Sequence, residues 1–481
     1  MAEIFANYID GEWVKPVATF ENRNPANTDE IVGLFARGSP QDVEDAAPAA
    51  SAALPAWSGL SGPSRGNILY GAAEILDRRF EQVSAEMTRE EGKTLPEARG
   101  EVRRAINIIR YFAGEGARLP GMLVPSERDR VHMFAIRKPI GVVGLITPWN
   151  FPSAIPAWKL APALICGNTV VLKPASAAPL SAWRIVEALH EAGAPKGVVN
   201  FVAGPGAELG DALVNAKSMR AVSFTGSCQT GNRLHEQASK RRLRIQLEMG
   251  GKNPTIVLAD ADFNSAVENV VNGAFFSTGQ KCTATSRSIV EEPVYDRFVA
   301  ALAERTRKLK VGDGMQPGIE IGPCVDQAQM ETILKYIEIG RKESGQPVVD
   351  GRRLINGALA KGYFVEPTVF CNVEEEHTIA REEIFGPVLA VMRAKDFEDA
   401  VRMANNIPFG LCSSIQSTNL SRVFEYVHRA EVGLLTVNLP SAGVEYQLPF
   451  GGTKASSFGP KEQGAAALDF YSDFKTVYLR Y

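Results

Sequence analysis

The chain has 481 residues, with 52 Lys plus Arg against 55 Asp plus Glu, a formal net charge of −3 and 45% hydrophobic residues. At roughly 150 residues per domain this length allows about three domains or two large ones, each with a substantial core, and it excludes collagen-like, low-complexity and charge-driven disordered classes. Balanced charge leaves no electrostatic footprint for nucleic acid or an anionic membrane, since the one basic cluster, Lys240, Arg241, Arg242 and Arg244, is short and reads as a solvated helix end.

Residues 1–11 carry Glu3 and Asp10 and lack a basic stretch followed by an apolar one, so they do not read as a secretory signal. From 41 to 117 the pattern is helical, with apolar residues at three and four spacing in 68–80, 83–91 and 102–112. After Gly121 short β-branched runs at 141–146, 169–172, 198–202, 221–224 and 244–247 alternate with helical segments that begin near Ser153, Pro179, Ala207 and Gln229. This alternation predicts an α/β fold with a doubly wound parallel sheet, whose ligands sit beyond the carboxyl ends of its strands. A second α/β unit, with apolar runs at 255–258, 288–290, 364–369, 388–392 and 433–437, could form a cleft with the first. The aromatic, alternating tail 470–481 predicts an exposed strand that needs a partner. The most apolar regions, 140–146 and 157–172, are too short for a bilayer or broken by Lys159, Gly167 and Asn168, so no membrane span is expected.

The six cysteines lie tens of residues apart, with no C-x-x-C pair and no nearby His, which fits neither a disulfide framework nor a zinc site. Reduced thiols in a cytoplasmic protein follow, and a lone cysteine could serve as a nucleophile. Cys282, in FFSTGQKCTATSR, adjoins Lys281, whose cation would favour the thiolate, as would a helix N-terminus if a helix starts there. Taken alone, it could equally be a small buried hydrophobe. Glu248, in LEMGGKNP, ends an apolar strand ahead of a glycine turn, a placement that suits a base or a satisfied surface carboxylate. Asn150, in TPWNFP, could donate to an oxyanion or merely form a turn. For phosphate, GPGAELG at 204–210 has the wrong final spacing, whereas GSCQTG at 226–231 leaves a strand and enters a helix, so its backbone N–H groups could face a pyrophosphate. Lys173, in VVLKPAS, ends a strand where it could reach ribose hydroxyls or simply point to solvent.

Together TPWNFP, KPAS, FTGS with a glycine five residues on, LEMGGKNP, GQKC, EEIFGPV and PFGG, in this order over nearly the whole chain, resemble the NAD(P)-dependent aldehyde dehydrogenase superfamily. The resemblance implies that Cys282 attacks the aldehyde carbon, that Asn150 and the Cys282 N–H hold the oxyanion, and that Glu248 activates water to hydrolyse a thioester. For the cofactor it implies Lys173 at a ribose, Gly226 and Ser227 at the pyrophosphate, Trp149 in the cofactor channel, and Glu383 with Phe385 on the nicotinamide ribose. Strictly NAD-using members tend to carry a glutamate where this chain has Ser176; a serine leaves room for a 2′-phosphate, so NADP⁺ is expected to be accepted, and could be preferred over NAD⁺. No metal is expected. The family architecture implies a Rossmann-like cofactor domain at 1–123 and 139–252, a catalytic domain at 253–435, and a small β oligomerisation extension at 124–138 and 465–481. Residues 436–464 form a return segment with a substrate-mouth loop, and a homodimer or homotetramer follows.

The stretch 440–464 and the tail look most like the α-ketoglutaric semialdehyde (2,5-dioxopentanoate) branch. Some semialdehyde enzymes place an arginine where this chain has Trp158, which leaves Lys281 and Arg287 as guesses for the partner of a substrate carboxylate. A mouth of Phe151, Trp158, Phe276, Tyr446 and Phe450 would equally admit a benzaldehyde such as vanillin, and succinate semialdehyde is a further alternative. A cofactor-independent cysteine hydrolase would need an orienting histidine, and all five histidines lie outside the motifs. A non-catalytic binding protein would predict damage at Cys282, Glu248 or Asn150, and all three are present.

Overall fold

The computed structural model describes residues 2–481. Two sheets organise it, and their strands explain why both regions read as apolar runs. In the first sheet Val142–Ile146 and Thr169–Lys173 are buried at all five positions, as expected of parallel strands covered on both faces. The sheet order is Ser457–Phe458, Arg244–Glu248, Met219–Thr225, Val142–Ile146, Thr169–Lys173, Val199–Phe201, Asn7–Ile9, Glu12–Val14. Its five central strands are parallel, and antiparallel strands close both edges. The chain proceeds from Val142–Ile146 to one side and later returns to the other, so the topological switch point lies beyond Ile146 and Thr225.

The second sheet is wholly parallel, in the order Thr368–Phe370, Val388–Ala394, Thr285–Glu291, Asn253–Val257, Cys412–Gln416, Leu434–Val437. Cys412–Gln416 was not expected from the sequence, because CSSIQ carries little apolar signal. It nonetheless lies buried, because its polar groups are satisfied: Ser413 Oγ donates to the Pro254 carbonyl at 3.1 Å and Ser414 Oγ to that of Leu439 at 2.7 Å. Of the run at 364–369 only the end becomes strand. The strands within Ile4–Ala36 were likewise not anticipated.

The helical stretch at 41–117 forms as expected, as Pro40–Gly59, Gly62–Arg78, Phe80–Glu91 and Leu95–Glu115. Leu95–Glu115 begins at a capping box in which Thr94 N–H donates to Glu97 at 2.9 Å, and it buries Val102, Ile106, Ile109 and Phe112 along one face. The tail finds its partner within the chain. Ser472–Arg480 pairs antiparallel with all of Val131–Pro139, and Met122–Pro125 adds a third strand. Phe470 and Tyr471, expected in that strand, instead end a short buried helix, Ala467–Tyr471.

Candidate active site

Beyond the switch point a cavity of about 270 Å³ gathers seven of the predicted site residues: Trp149, Asn150, Gly226, Ser227, Cys282, Glu383 and Phe385. The cofactor side is made largely of backbone. Helix Cys228–Arg241 starts at Ser227, whose hydroxyl caps it by accepting from Thr230 N–H at 3.3 Å. A Cβ at Gly226 would lie 2.6 Å from the Phe224 ring, and one at Gly231 2.5 Å from Met249 Sδ, so both glycines are needed to bring this helix end close to the sheet. Lys173 ends its strand buried, and desolvation lowers its ammonium to about 8 with no charged neighbour to oppose it. Ser176 Oγ donates to the Gly204 carbonyl at 2.7 Å. A helix N-terminus, an uncompensated cation and a groove that side chains at the glycines would fill together fit a dinucleotide.

The glycine pair in LEMGGKNP has a specific cause. A Cβ on Gly250 would stand 1.9 Å from Glu383 Oε2, and Gly251 N–H donates to Glu383 Oε1 at 3.1 Å. Burial raises the Glu383 carboxyl to about 7. Phe385 holds a left-handed φ of 58° and meets Trp149 edge-on at 5.3 Å, strain of the kind that concentrates at functional sites.

Cys282 lies on a loop clamped from several segments. Ser277, Thr278 and Gly279 are consecutive left-handed residues. Ser277 N–H donates to the capping Glu97 at 2.7 Å, which ties this loop to helix Leu95–Glu115. Asn253 Nδ2 donates to the Cys282 carbonyl at 2.7 Å and to that of Ala284 at 3.0 Å. Asn150 Nδ2 donates to the Gln280 carbonyl at 3.1 Å, so the amide stands beside the Cys282 loop. The Asn150 carbonyl in turn accepts from buried Lys93 at 2.8 Å. Lys93 pairs with Glu101 at 2.5 Å, and Glu101 accepts from Ser153 and Ala154 N–H at 2.8 and 3.0 Å. Asn253, Lys93 and Glu101 were missed by sequence reading; only the capping pattern at Thr94 hinted that this segment is anchored.

Two expectations for Cys282 fail. No helix starts there, because the next element is strand Thr285–Glu291, and Lys281 turns away to donate to the Asn272 carbonyl at 3.1 Å. Desolvation and the charges of Glu383 and Glu248 push the thiol up to about 12, so it rests protonated and would need a base to act as a nucleophile. Glu248, raised to about 8 by burial and by the charge of Glu462, is a base of suitable strength, but its Oε2 accepts from Ser457 Oγ at 2.6 Å. Its carboxylate also lies against Gly451 and does not line the cavity, so a side-chain rotation is needed to bring it toward Cys282.

None of the five expected mouth aromatics lines the cavity. Trp158 and Phe450 are buried against each other at 5.4 Å, and Trp158 Nε1 donates to Glu462 at 2.8 Å. Lys159 pairs with the same Glu462 and donates to Ser223 Oγ at 2.7 Å. Tyr446 meets Tyr111 at 5.6 Å, Phe151 lies under Lys93, and Phe276 packs on the core of the second sheet. Arg287 is excluded as a substrate cation: it is buried and its three nitrogens donate to the carbonyls of Lys252, Met403 and Ala404. Among the described residues no cluster could hold a metal ion, and no helix is long and apolar enough to cross a membrane.

The sequence pattern of the Aldehyde dehydrogenase family matches residues 13–477. The chain is 47% identical to an alpha-ketoglutaric semialdehyde dehydrogenase of Bacillus subtilis (strain 168), over 99% of this chain and 98% of that one. It is 44% identical to an alpha-ketoglutarate semialdehyde dehydrogenase of Haloferax volcanii over the full length of both. Among solved structures, a betaine aldehyde dehydrogenase from Staphylococcus aureus in complex with NAD⁺ superposes with a TM-score of 0.95 at 33% identity, covering 99% of this chain and 95% of that one. A sequence pattern spanning almost the whole chain, two full-length relatives and a shared fold agree: the chain belongs to the aldehyde dehydrogenase family, and its reaction is the oxidation of an aldehyde to a carboxylic acid with a nicotinamide cofactor.

Proposed function

We propose that this enzyme oxidises 2,5-dioxopentanoate, a semialdehyde with a distal carboxylate, to the dicarboxylic acid, and that it accepts NADP⁺ as well as NAD⁺. The observation that carries the substrate is full-length similarity, at 44–47% identity, to two proteins named for this semialdehyde. Ser176 supports the cofactor reading: a neutral hydroxyl turned to a backbone carbonyl offers no repulsion to a 2′-phosphate.

In this reading Lys173, Gly226, Ser227 and Glu383 hold the dinucleotide, with Trp149 and Phe385 at its nicotinamide end. When bound, the cofactor supplies the two-electron oxidation by taking up the hydrogen of the aldehyde carbon. Cys282 loses its proton to Glu248 and attacks that carbon, while Asn150 Nδ2 and the Cys282 N–H hold the oxyanion from positions fixed before reaction. The acyl group left on sulfur as a thioester is hydrolysed by water from which Glu248 takes a proton. The exposed edge of Ser472–Arg480 serves to join subunits into a homodimer or a dimer of dimers, and six free thiols fit the reducing cytoplasm.

Steady-state kcat/KM for 2,5-dioxopentanoate, succinate semialdehyde and benzaldehyde, each with NAD⁺ and NADP⁺, tests the proposal. The first substrate should lead with either cofactor. A clear preference for benzaldehyde rejects the substrate, and a strong preference for NAD⁺ rejects the cofactor reading.

A further inference from the structure

Arg104 lies on helix Leu95–Glu115, one turn pair before Tyr111 and on the same face, so both reach the mouth segment around 444–446. Its guanidinium stands 5.8 Å from the Trp158 ring centroid, and the charges of Glu101 and Glu445 act on it. It donates through Nη1 to the Val444 carbonyl and through Nη2 to Gln463 Oε1 at 3.2 Å. Its Nε has no acceptor, and neither has Nε2 of fully buried Gln463 beside it. Gln463 adopts a left-handed φ of 60°, a conformation that a non-glycine residue holds only under constraint. Two adjacent side chains thus present unmatched donors, one of them cationic, beside Trp158. Donors left unmatched inside a protein carry a cost that an incoming anion relieves.

Most other cations around Cys282 are committed elsewhere, and the exception, Lys252, whose buried Nζ has no acceptor, stands within the influence of Glu383 and Glu382 on the other side of the site. Lys93 and Lys159 are ion-paired, Lys281 is turned to a backbone carbonyl, and Arg287 has a carbonyl on each nitrogen. Arg104 forms no ion pair among the described residues and keeps partial exposure.

We infer that Arg104, supported by Gln463, anchors the distal carboxylate of the substrate and thereby makes the enzyme selective for aldehydes that end in one. The planar fork binds the carboxylate, and the Gln463 amide supplies a further donor after a small shift of the mouth. This rests on the semialdehyde reading above, so the test separates the two.

The selectivity is the ratio of kcat/KM for 2,5-dioxopentanoate to that for pentanal, which lacks the carboxylate. Arg104→Leu should lower this ratio about 30- to 100-fold, mainly through KM, with Arg104→Lys recovering part of the loss and Gln463→Leu lowering it about 5-fold. An unchanged ratio in Arg104→Leu, or an equal fall for both aldehydes, would overturn the anchor and leave Arg104 as a strut of the mouth. Inhibition by the product, 2-oxoglutarate, against pentanal judges Arg104 independently of which aldehyde is preferred. The wild type should be inhibited competitively and Arg104→Leu should show at least a tenfold higher inhibition constant, whereas equal inhibition of both sinks the inference. A wild type that prefers pentanal to 2,5-dioxopentanoate, yet loses 2-oxoglutarate inhibition on Arg104→Leu, would reject the substrate assignment and retain the anchor.

Discussion

The two sides of Cys282 are built from different materials. On the cofactor side the chain uses backbone: a helix N-terminus at Ser227, glycines at 226, 231 and 250 that admit close approach, and one carboxylate, Glu383, seated on Gly251 N–H. On the other side it uses long side chains from distant segments: Arg104 bonds Gln463 and stands by the Trp158 ring, while Trp158 and Lys159 share Glu462. A ligand common to a family suits a backbone cradle that tolerates few sequences. A variable ligand suits side chains, which can be exchanged without refolding a turn.

Cys282→Ala should break both sides at once, because the proposed nucleophile is shared. Turnover, followed as reduced cofactor at 340 nm with an aldehyde and NADP⁺, should fall on the order of 10⁴-fold or more. Full activity in that variant would place the nucleophile elsewhere.

Next in size is Glu248→Gln, which should cost roughly 10²- to 10⁴-fold in the hydrolytic step. Because the carboxyl is raised to about 8, its basic form fills as pH rises, so wild-type kcat should climb nearly tenfold per unit below pH 7.5 and level off above 8.5. The Gln variant should lose this slope, and a slope that survived would assign it to another group. The same shift has the opposite sign for stability. The folded state keeps a proton that the unfolded carboxyl, with its ordinary value of 4.5, releases, so this site's contribution to stability declines as pH rises from there towards 8.

The cofactor side alone is probed by Gly250→Ala, whose Cβ would occupy the place of the Glu383 carboxylate. The expected loss is on the order of 10²-fold in kcat/KM for the cofactor, read by varying NADP⁺ at saturating aldehyde. Wild-type cofactor kinetics would show that the two sides are not built as described. The smallest effect on activity is expected from Lys93→Met, which removes the support of the Asn150 carbonyl and strands buried Glu101. Its main effect should be on stability, roughly 3–5 kcal/mol in urea unfolding, with Glu101→Leu added to it restoring much of the loss. No recovery in the double variant would mean that the pair is held by more than its mutual charge.

The contrast between the two sides also decides what could be read in advance. Gly226, Ser227, Glu383 and Phe385 sit in short motifs because a turn is a local object, made by neighbours in sequence. Arg104 sits in no motif; it is one charged residue of an amphipathic helix until residues 444 and 463 come round to meet it. Lys281 shows the converse error: adjacent to Cys282 in sequence, it points to Asn272 and leaves the thiol without the expected cation. Strand Cys412–Gln416 escaped because its burial rests on hydroxyl partners supplied by other segments, and no window of sequence contains them.

By itself, then, the sequence determined the alternation of strand and helix and the glycine turns, all properties of short stretches governed by local backbone geometry. The tertiary structure alone decided the protonation of Cys282, the resting contact of Glu248 with Ser457 and the meeting of Arg104 with Val444 and Gln463. Desolvation and Coulomb interactions depend on which distant groups are packed together, and only the folded chain sets those distances.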